Sequence, residues 1–240
     1  MAVSKPSGRS AAVASAMSTA LDAPAFQVSR ETLRTRVYDS LCEALMMGRF
    51  DPGQSLTVRG LADAFGVSPT PVREALQRLA AAGALATEPN RFYRVPVITT
   101  ETIEDLRRVR AALEGMAAEE AAKHIQRGDL QKLERANAKM LKAIERQDAK
   151  AYLAANESFH FTIYRAAGSE TLLRIIHGLW LRIGPTLNLL FRDFTLVLAL
   201  DDAHQAALRA LRERDGAKAR EAIVADIMEA GDFLVKAALD

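Results

Sequence analysis

The stretch Leu61 to Leu79, LADAFGVSPTPVREALQRL, limits what this chain can fold into more than any other segment. Leu61, Ala62 and Phe65 fall on one helical apolar face. Gly66 then ends that helix, because glycine accepts the left-handed conformation a helix terminus often needs. Ser68 follows as a candidate N-cap. Pro69 and Pro71 fall in the first turn of a second helix, where N–H groups lack an intrahelical partner and proline forfeits no bond. Val72, Leu76 and Leu79 recur at spacings of four and three and share a buried face, while Thr70, Arg73 and Gln77 recur at three and four on another. The spacing predicts two short helices about a tight turn. The second buries one side and offers a hydroxyl, a guanidinium and an amide on the other.

The flanks supply the rest of a small domain. From about residue 30 to 47, Leu33, Val37, Leu41 and Leu45 repeat with helical period until Gly48, and Asp51-Pro52-Gly53 is turn chemistry. Leu56 and Val58 lead into the helix pair. Beyond Leu79 the second helix continues to Gly83, and residues 85–97 alternate around Glu88-Pro89-Asn90-Arg91, which predicts a two-stranded wing. These are the parts of a winged helix-turn-helix, whose second helix lies in the DNA major groove.

From Thr99 onward every pattern is helical. Breaks at Gly128-Asp129, Gln147-Asp148, Gly168-Ser169 and Asp215-Gly216 divide it into about six helices, 101–126, 129–146, 149–167, 169–191, 196–213 and 216–238. The expected fold is therefore mainly α: a winged helix-turn-helix over 28–98 with a small β wing, and an all-α six-helix bundle over 99–240. Residues 1–27, rich in Ala and Ser with Lys5 and Arg9 and no acid before Asp22, lack the leucine-like core of a signal peptide and read as a disordered tail.

Charge is spread unevenly. Residues 1–98 carry 11 basic and 8 acidic side chains and the remainder 21 and 22, so a mildly basic front precedes a neutral body. The single Cys42 cannot form an internal disulfide and suits a reducing cytoplasm. No apolar run reaches the roughly 18–20 residues of a membrane span, since Arg192 and Asp193 break the longest one.

Several polar residues sit on the apolar seams of the body. Arg110 shares a face with Ile103, Leu106, Leu113 and Ala117, where a guanidinium needs an anionic partner: a salt bridge to a neighbouring helix or the carboxylate of a ligand. Asn156 and His160 follow Leu153 on successive turns, His204 lies in line with Leu200, Leu208 and Leu211, and Asp226 stands between Ile223 and Ala230. Two imidazoles, a carboxylate and an amide oxygen can hold a divalent ion and leave positions open. A metal-free polar pocket and an interior hydrogen-bond network are the alternatives. His124 and His177 read as surface or packing residues.

The string GVSPTPVREALQRLAAAGAL, with the upstream GRFDPGQSLTVRGLADAF, resembles the winged helix-turn-helix of GntR-family bacterial transcription regulators over about residues 30–96. The body resembles the ligand-sensing FCD domain of the FadR branch, and six helices suit its VanR-like subgroup. The resemblance implies a ligand-responsive regulator, a repressor more often than an activator, that binds an inverted-repeat operator in double-stranded DNA as a homodimer. It implies DNA contacts by Arg59, Ser68, Thr70 and Arg73, with Arg91 reaching from the wing. Two departures bear on those contacts: Pro69 stands where the family often has arginine, and Phe92 where a glycine usually follows the wing arginine. In the body it implies that Arg110 binds a small organic-acid effector. It also implies that Asn156, His160, His204 and Asp226 hold zinc, nickel or manganese, with Asn156 in place of the usual Asp and Asp226 in place of the last His. The rival readings are a metal-dependent helical-bundle enzyme and an architectural DNA-binding dimer without effector.

Overall fold

The structure, a computed structural model, describes residues 24–88, 92–192 and 194–238, with side chains described over 33–88, 92–191 and 202–238. The first helix, α1, spans Pro24–Met46 and buries Val37, Leu41 and Leu45 as the periodicity predicts, although Leu33 is exposed. Its described part begins inside the stretch expected to be a tail. Residues 1–23 of that expected tail lie outside the described residues.

A short strand β1 (Ser55–Thr57) leads into α2 (Val58–Phe65) and α3 (Pro69–Ala81). Thr57 caps α2 by accepting from the Gly60 N–H, and Gly66 ends it in the left-handed conformation at φ 65°. Of the face expected on α2, Ala62 is buried and Leu61 half-buried, whereas Phe65 is exposed. The wing is β2 (Ala86–Glu88) and β3 (Phe92–Arg94). The expected pair is in fact the larger part of a three-stranded antiparallel sheet ordered β1-β3-β2, because Leu56 of β1 pairs with Tyr93. Arg94 ties this sheet together by gripping Glu88 and donating to the Gly53 carbonyl at 2.7 Å.

The body comprises six α-helices among the described residues: α4 (Thr100–His124), α5 (Arg127–Glu145), α6 (Ala149–Ala166), α7 (Glu170–Ile183), α8 (Phe194–Arg212) and α9 (Gly216–Ala237). Helix α7 is shorter than expected, and a 3-10 helix, Gly184–Arg192, follows it. Pro185 is the cause: without an N–H it cannot bond to the carbonyl four residues back. Helices α4, α6, α7 and α9 open on side-chain caps from Thr99, Asp148, Ser169 and Asp215. Along α4 the buried seam is Ile103, Leu106, Arg110, Glu114 and Ala117; Glu114, rather than the half-buried Leu113, takes the inward slot. Head and body share one continuous apolar core.

Candidate functional site

Two groups of residues carry chemistry, one on the surface of the head and one inside the body. In the head, Val72, Leu76 and Leu79 are wholly buried, which turns the opposite side of α3 to solvent. Thr70, Arg73 and Gln77 are exposed there, with Arg59 and Ser68 exposed beside them. Ser68 has the extended backbone of an N-cap but makes no side-chain cap bond. A cap hydroxyl usually accepts from the second or third helical N–H, and Pro71 at the third position removes one of those two donors. Its hydroxyl is left for another partner. Two surface links brace α3 against α1: Arg34 pairs with Glu74 at 3.0 Å, and the Arg78 guanidinium lies 3.7 Å from the centre of the Tyr38 ring. Arg91 lies outside the described residues.

Inside the body, α6, α8 and α9 bring His160, His204 and Asp226 together. The two Nε2 atoms are 3.3 Å apart, His160 Nε2 is 3.3 Å from Asp226 Oδ2, and His204 Nε2 is 3.4 Å from Asp226 Oδ1. All three residues are buried. Burial would push the Asp226 carboxyl up, but His204, His160 and Arg110 together hold it below the ordinary aspartate value. Bonds of about 2.0–2.2 Å at near-tetrahedral angles set the donors of a bound ion roughly 3.4 Å apart. The spacing of the triangle of nitrogen and oxygen atoms therefore suits a divalent cation. Asn156, one turn before His160 on α6, is half-buried.

A second chain of polar groups leads from this triangle into the core. His160 Nδ1 lies 2.9 Å from the Tyr164 hydroxyl, which donates to Glu114 Oε2. Glu114 accepts from Arg110 Nε at 2.7 Å and from an Arg110 Nη at 3.2 Å. Glu114 and Tyr164 are almost entirely enclosed, at 0% and 1% exposure. Burial and the neighbouring Glu114 raise the Tyr164 phenol well above its usual range, so it keeps its proton. Arg110 also lies 5.0 Å from the centre of the Trp180 ring, which in turn lies 5.3 Å from the His160 ring. The buried Trp180 Nε1 has no hydrogen-bond partner among the described residues.

The structure thus brings together His160, His204 and Asp226 and sets Arg110 at the far end of a hydrogen-bonded chain from them. Arg110's anionic partner is Glu114 on its own helix, where a salt bridge to another helix was one expectation. Glu114, Tyr164 and Trp180 were not anticipated. The first two could have been found by the helical step: Glu114 is four residues after Arg110, and Tyr164 is four after His160. His177 is half-buried against Phe161 and His124 is exposed, as their sequence positions suggest.

The chain matches two family models, that of the gntR family of bacterial regulatory proteins over residues 33–95 and that of the FCD domain over residues 105–228. It is 30% identical over 200 residues to the HTH-type transcriptional regulator McbR of Escherichia coli K12, covering 82% of this chain and 90% of that one. It is 29% identical over 206 residues to a probable D-xylose utilization operon transcriptional repressor of Paenarthrobacter nicotinovorans, covering 85% and 89% of the two chains. The solved structure of E. coli McbR/YncC superposes with a TM-score of 0.80 at 29% identity, over 85% of this chain and 97% of that one. A GntR regulator from Rhodococcus sp. RHA1, at 21% identity and a TM-score of 0.70, shares the fold.

Proposed function

The chain belongs to the GntR family of bacterial regulators, in the branch whose helix-turn-helix head is joined to an FCD domain, and we propose that it is a repressor released from its operator by a small organic acid. DNA-binding transcriptional regulation is what the family and its named relatives do, which removes the metal-dependent enzyme as a rival. Repression follows the printed name of the P. nicotinovorans relative. The cytoplasm, where the operator lies, is the compartment proposed; no described helix is long and apolar enough to cross a membrane.

One observation supports the DNA-binding surface above all others: the exposed Thr70, Arg73 and Gln77 stand opposite the wholly buried Val72, Leu76 and Leu79 on one helix. Arg73 and Arg59 are assigned to base edges and phosphates, Thr70 and the uncapped Ser68 hydroxyl to phosphates, and Arg91 to the wing contact. The operator is an inverted repeat read by two heads of a homodimer. Exposed apolar side chains on two helices that pack together, Val109 and Met116 of α4 and Ile175 of α7, favour a second copy as the cover for that face.

In the body, His160, His204 and Asp226, with Asn156, are assigned to a divalent cation, of which zinc, nickel and manganese all suit nitrogen and oxygen donors. When bound, such an ion supplies positive charge for an anionic oxygen. Arg110 is assigned to the effector carboxylate. Glu114 takes two of the five guanidinium hydrogens, so the effector approaches the end-on edge made by the two Nη atoms. The Trp180 N–H, buried and unpartnered beside Arg110, favours a ligand oxygen there, because such groups are rarely left unsatisfied. Selection of bound duplexes from a random pool tests the reading, followed by a titration of the selected site with organic acids. A symmetric half-site pair and an acid that lowers its affinity are expected. Asymmetric or featureless enrichment would remove the paired-head operator, and indifference to every acid would leave the architectural dimer.

A further inference from the structure

We propose that Glu114 and Tyr164 are positioning residues that fix His160 with a hydrogen on Nδ1 and its Nε2 turned into the cation site. This rests on reading His160, His204 and Asp226 as that site. Protons can be followed along the chain of hydrogen bonds from its charged end. Arg110 has only donors and sets Nε and one Nη 2.7 and 3.2 Å from the two Glu114 oxygens, so Glu114 meets it with acceptors. Tyr164 has a single proton and donates it to Glu114 Oε2. With that proton committed, the phenol oxygen offers His160 Nδ1, 2.9 Å away, nothing but lone pairs. Nδ1 must then carry a hydrogen. Nε2, 3.3 Å from both His204 Nε2 and Asp226 Oδ2, is then the nitrogen that faces the cation: without an ion it can donate to the Asp226 carboxylate, and with one it gives up that hydrogen while Nδ1 keeps its own.

A bare Nε2 is the form a metal requires, and a partner on the second nitrogen is how ligating histidines are usually held. The unusual element is its remoteness: the tautomer of His160 is set by a guanidinium three groups away, the same one assigned to the effector. Anything that draws Arg110 off Glu114 therefore loosens the orientation of a metal ligand. This links the two halves of the ligand site without a helix having to move.

Glutamine at position 114 has a distinctive consequence. Arg110 can accept nothing, so the amide oxygen turns to its Nε, the closer contact, and the NH2 group takes the place of the oxygen that meets Tyr164, giving up the longer Nη bond. The phenol then accepts from Gln and donates to His160 Nδ1, and the ring keeps its hydrogen on Nε2 alone. A residue that merely filled space would not take the hydrogen off Nδ1.

The test uses the full chain, labelled with 15N-histidine, with His160 assigned by loss of its signals in His160→Asn. In the metal-free wild type at mildly alkaline pH, Nδ1 of His160 should show the shift of a protonated ring nitrogen. A ring without a hydrogen on Nδ1 overturns the proposal. Glu114→Gln should move Nδ1 to the shift of an unprotonated nitrogen and weaken zinc binding, followed by calorimetry, about 10–100-fold; Tyr164→Phe should weaken it without fixing either tautomer. Wild-type affinity and unchanged shifts in both variants overturn the proposal and leave the cation site standing. If the wild type takes up no zinc, the cation site falls, and the ring shifts still decide the positioning role. Should the variants not fold, the wild-type spectrum alone decides it.

Discussion

Asn188 Nδ2 donates to the Gly48 carbonyl oxygen at 2.7 Å, joining the 3-10 helix of the body to the end of the first helix of the head. Around that bond the contact is backbone against backbone. A Cβ on Gly184 would stand 2.5 Å from the Leu45 carbonyl oxygen and 2.7 Å from Met46 Cα, atoms that cannot rotate aside. Gly184→Ala should therefore cost about 1–3 kcal/mol, the usual penalty for overpacking, read as a lowered urea midpoint. Asn188→Ala removes one hydrogen bond and should cost roughly 1 kcal/mol. An unchanged midpoint in Gly184→Ala would mean that the head does not rest on the body at this point.

On α3, the two polar positions should respond differently. Arg73→Ala should relax sequence preference at one base pair of each half-site, by about 1–3 kcal/mol if the guanidinium reads a guanine. Thr70→Ala, assigned to phosphate, should weaken all duplexes alike. Binding to a panel of single-base operator variants separates the two. Unaltered base preference in Arg73→Ala would place the reading helix elsewhere.

Most of this architecture is legible in the sequence because it follows local rules. Gly66, Pro69 and Pro71 mark the turn, and Val72, Leu76 and Leu79 face inward as their period requires. The helical step also brings His160, His204 and Asp226 to inner faces, though nothing local says that α6, α8 and α9 meet at one point. What escapes is non-local or competitive. Strand β1 is three residues long and exists only because β3 pairs with it. Phe65 and Leu33 sit on helical stripes at the rim of the head, where the core has run out, and stay exposed. Glu114 looks like a solvated charge until Arg110 and Tyr164, the latter 50 residues away, are seen to enclose it.

In the cation site, charge should matter more than ligand count. Asp226→Asn keeps an oxygen donor beside His160 and His204 but removes the only negative charge of the triangle. Its zinc or nickel affinity should fall by at least an order of magnitude, and His160→Ala combined with His204→Ala should abolish uptake, as measured by elemental analysis after dialysis against trace metal. Metal retained at wild-type stoichiometry in the double variant would locate the ion outside this triangle.

Glu157, on the same helix as His160, makes a prediction of opposite sign. Its carboxyl is buried, and burial raises its pKa above the ordinary glutamate value, with Glu43 of the head adding to the rise and Arg165 and His160 opposing it. An acid whose pKa is higher in the folded than in the unfolded chain destabilises the fold wherever it is ionised in both states, and stability is regained as pH falls through the folded value. Glu157→Gln deletes the charge and keeps the shape, so the variant should melt at a higher temperature than the wild type at neutral pH. The difference should shrink as pH drops toward the ordinary glutamate range, where the wild-type carboxyl is itself neutral. Melting curves of both proteins across that interval provide the check. A variant that melts lower at neutral pH would mean that the ionised carboxylate is held by Arg165 strongly enough to outweigh its burial.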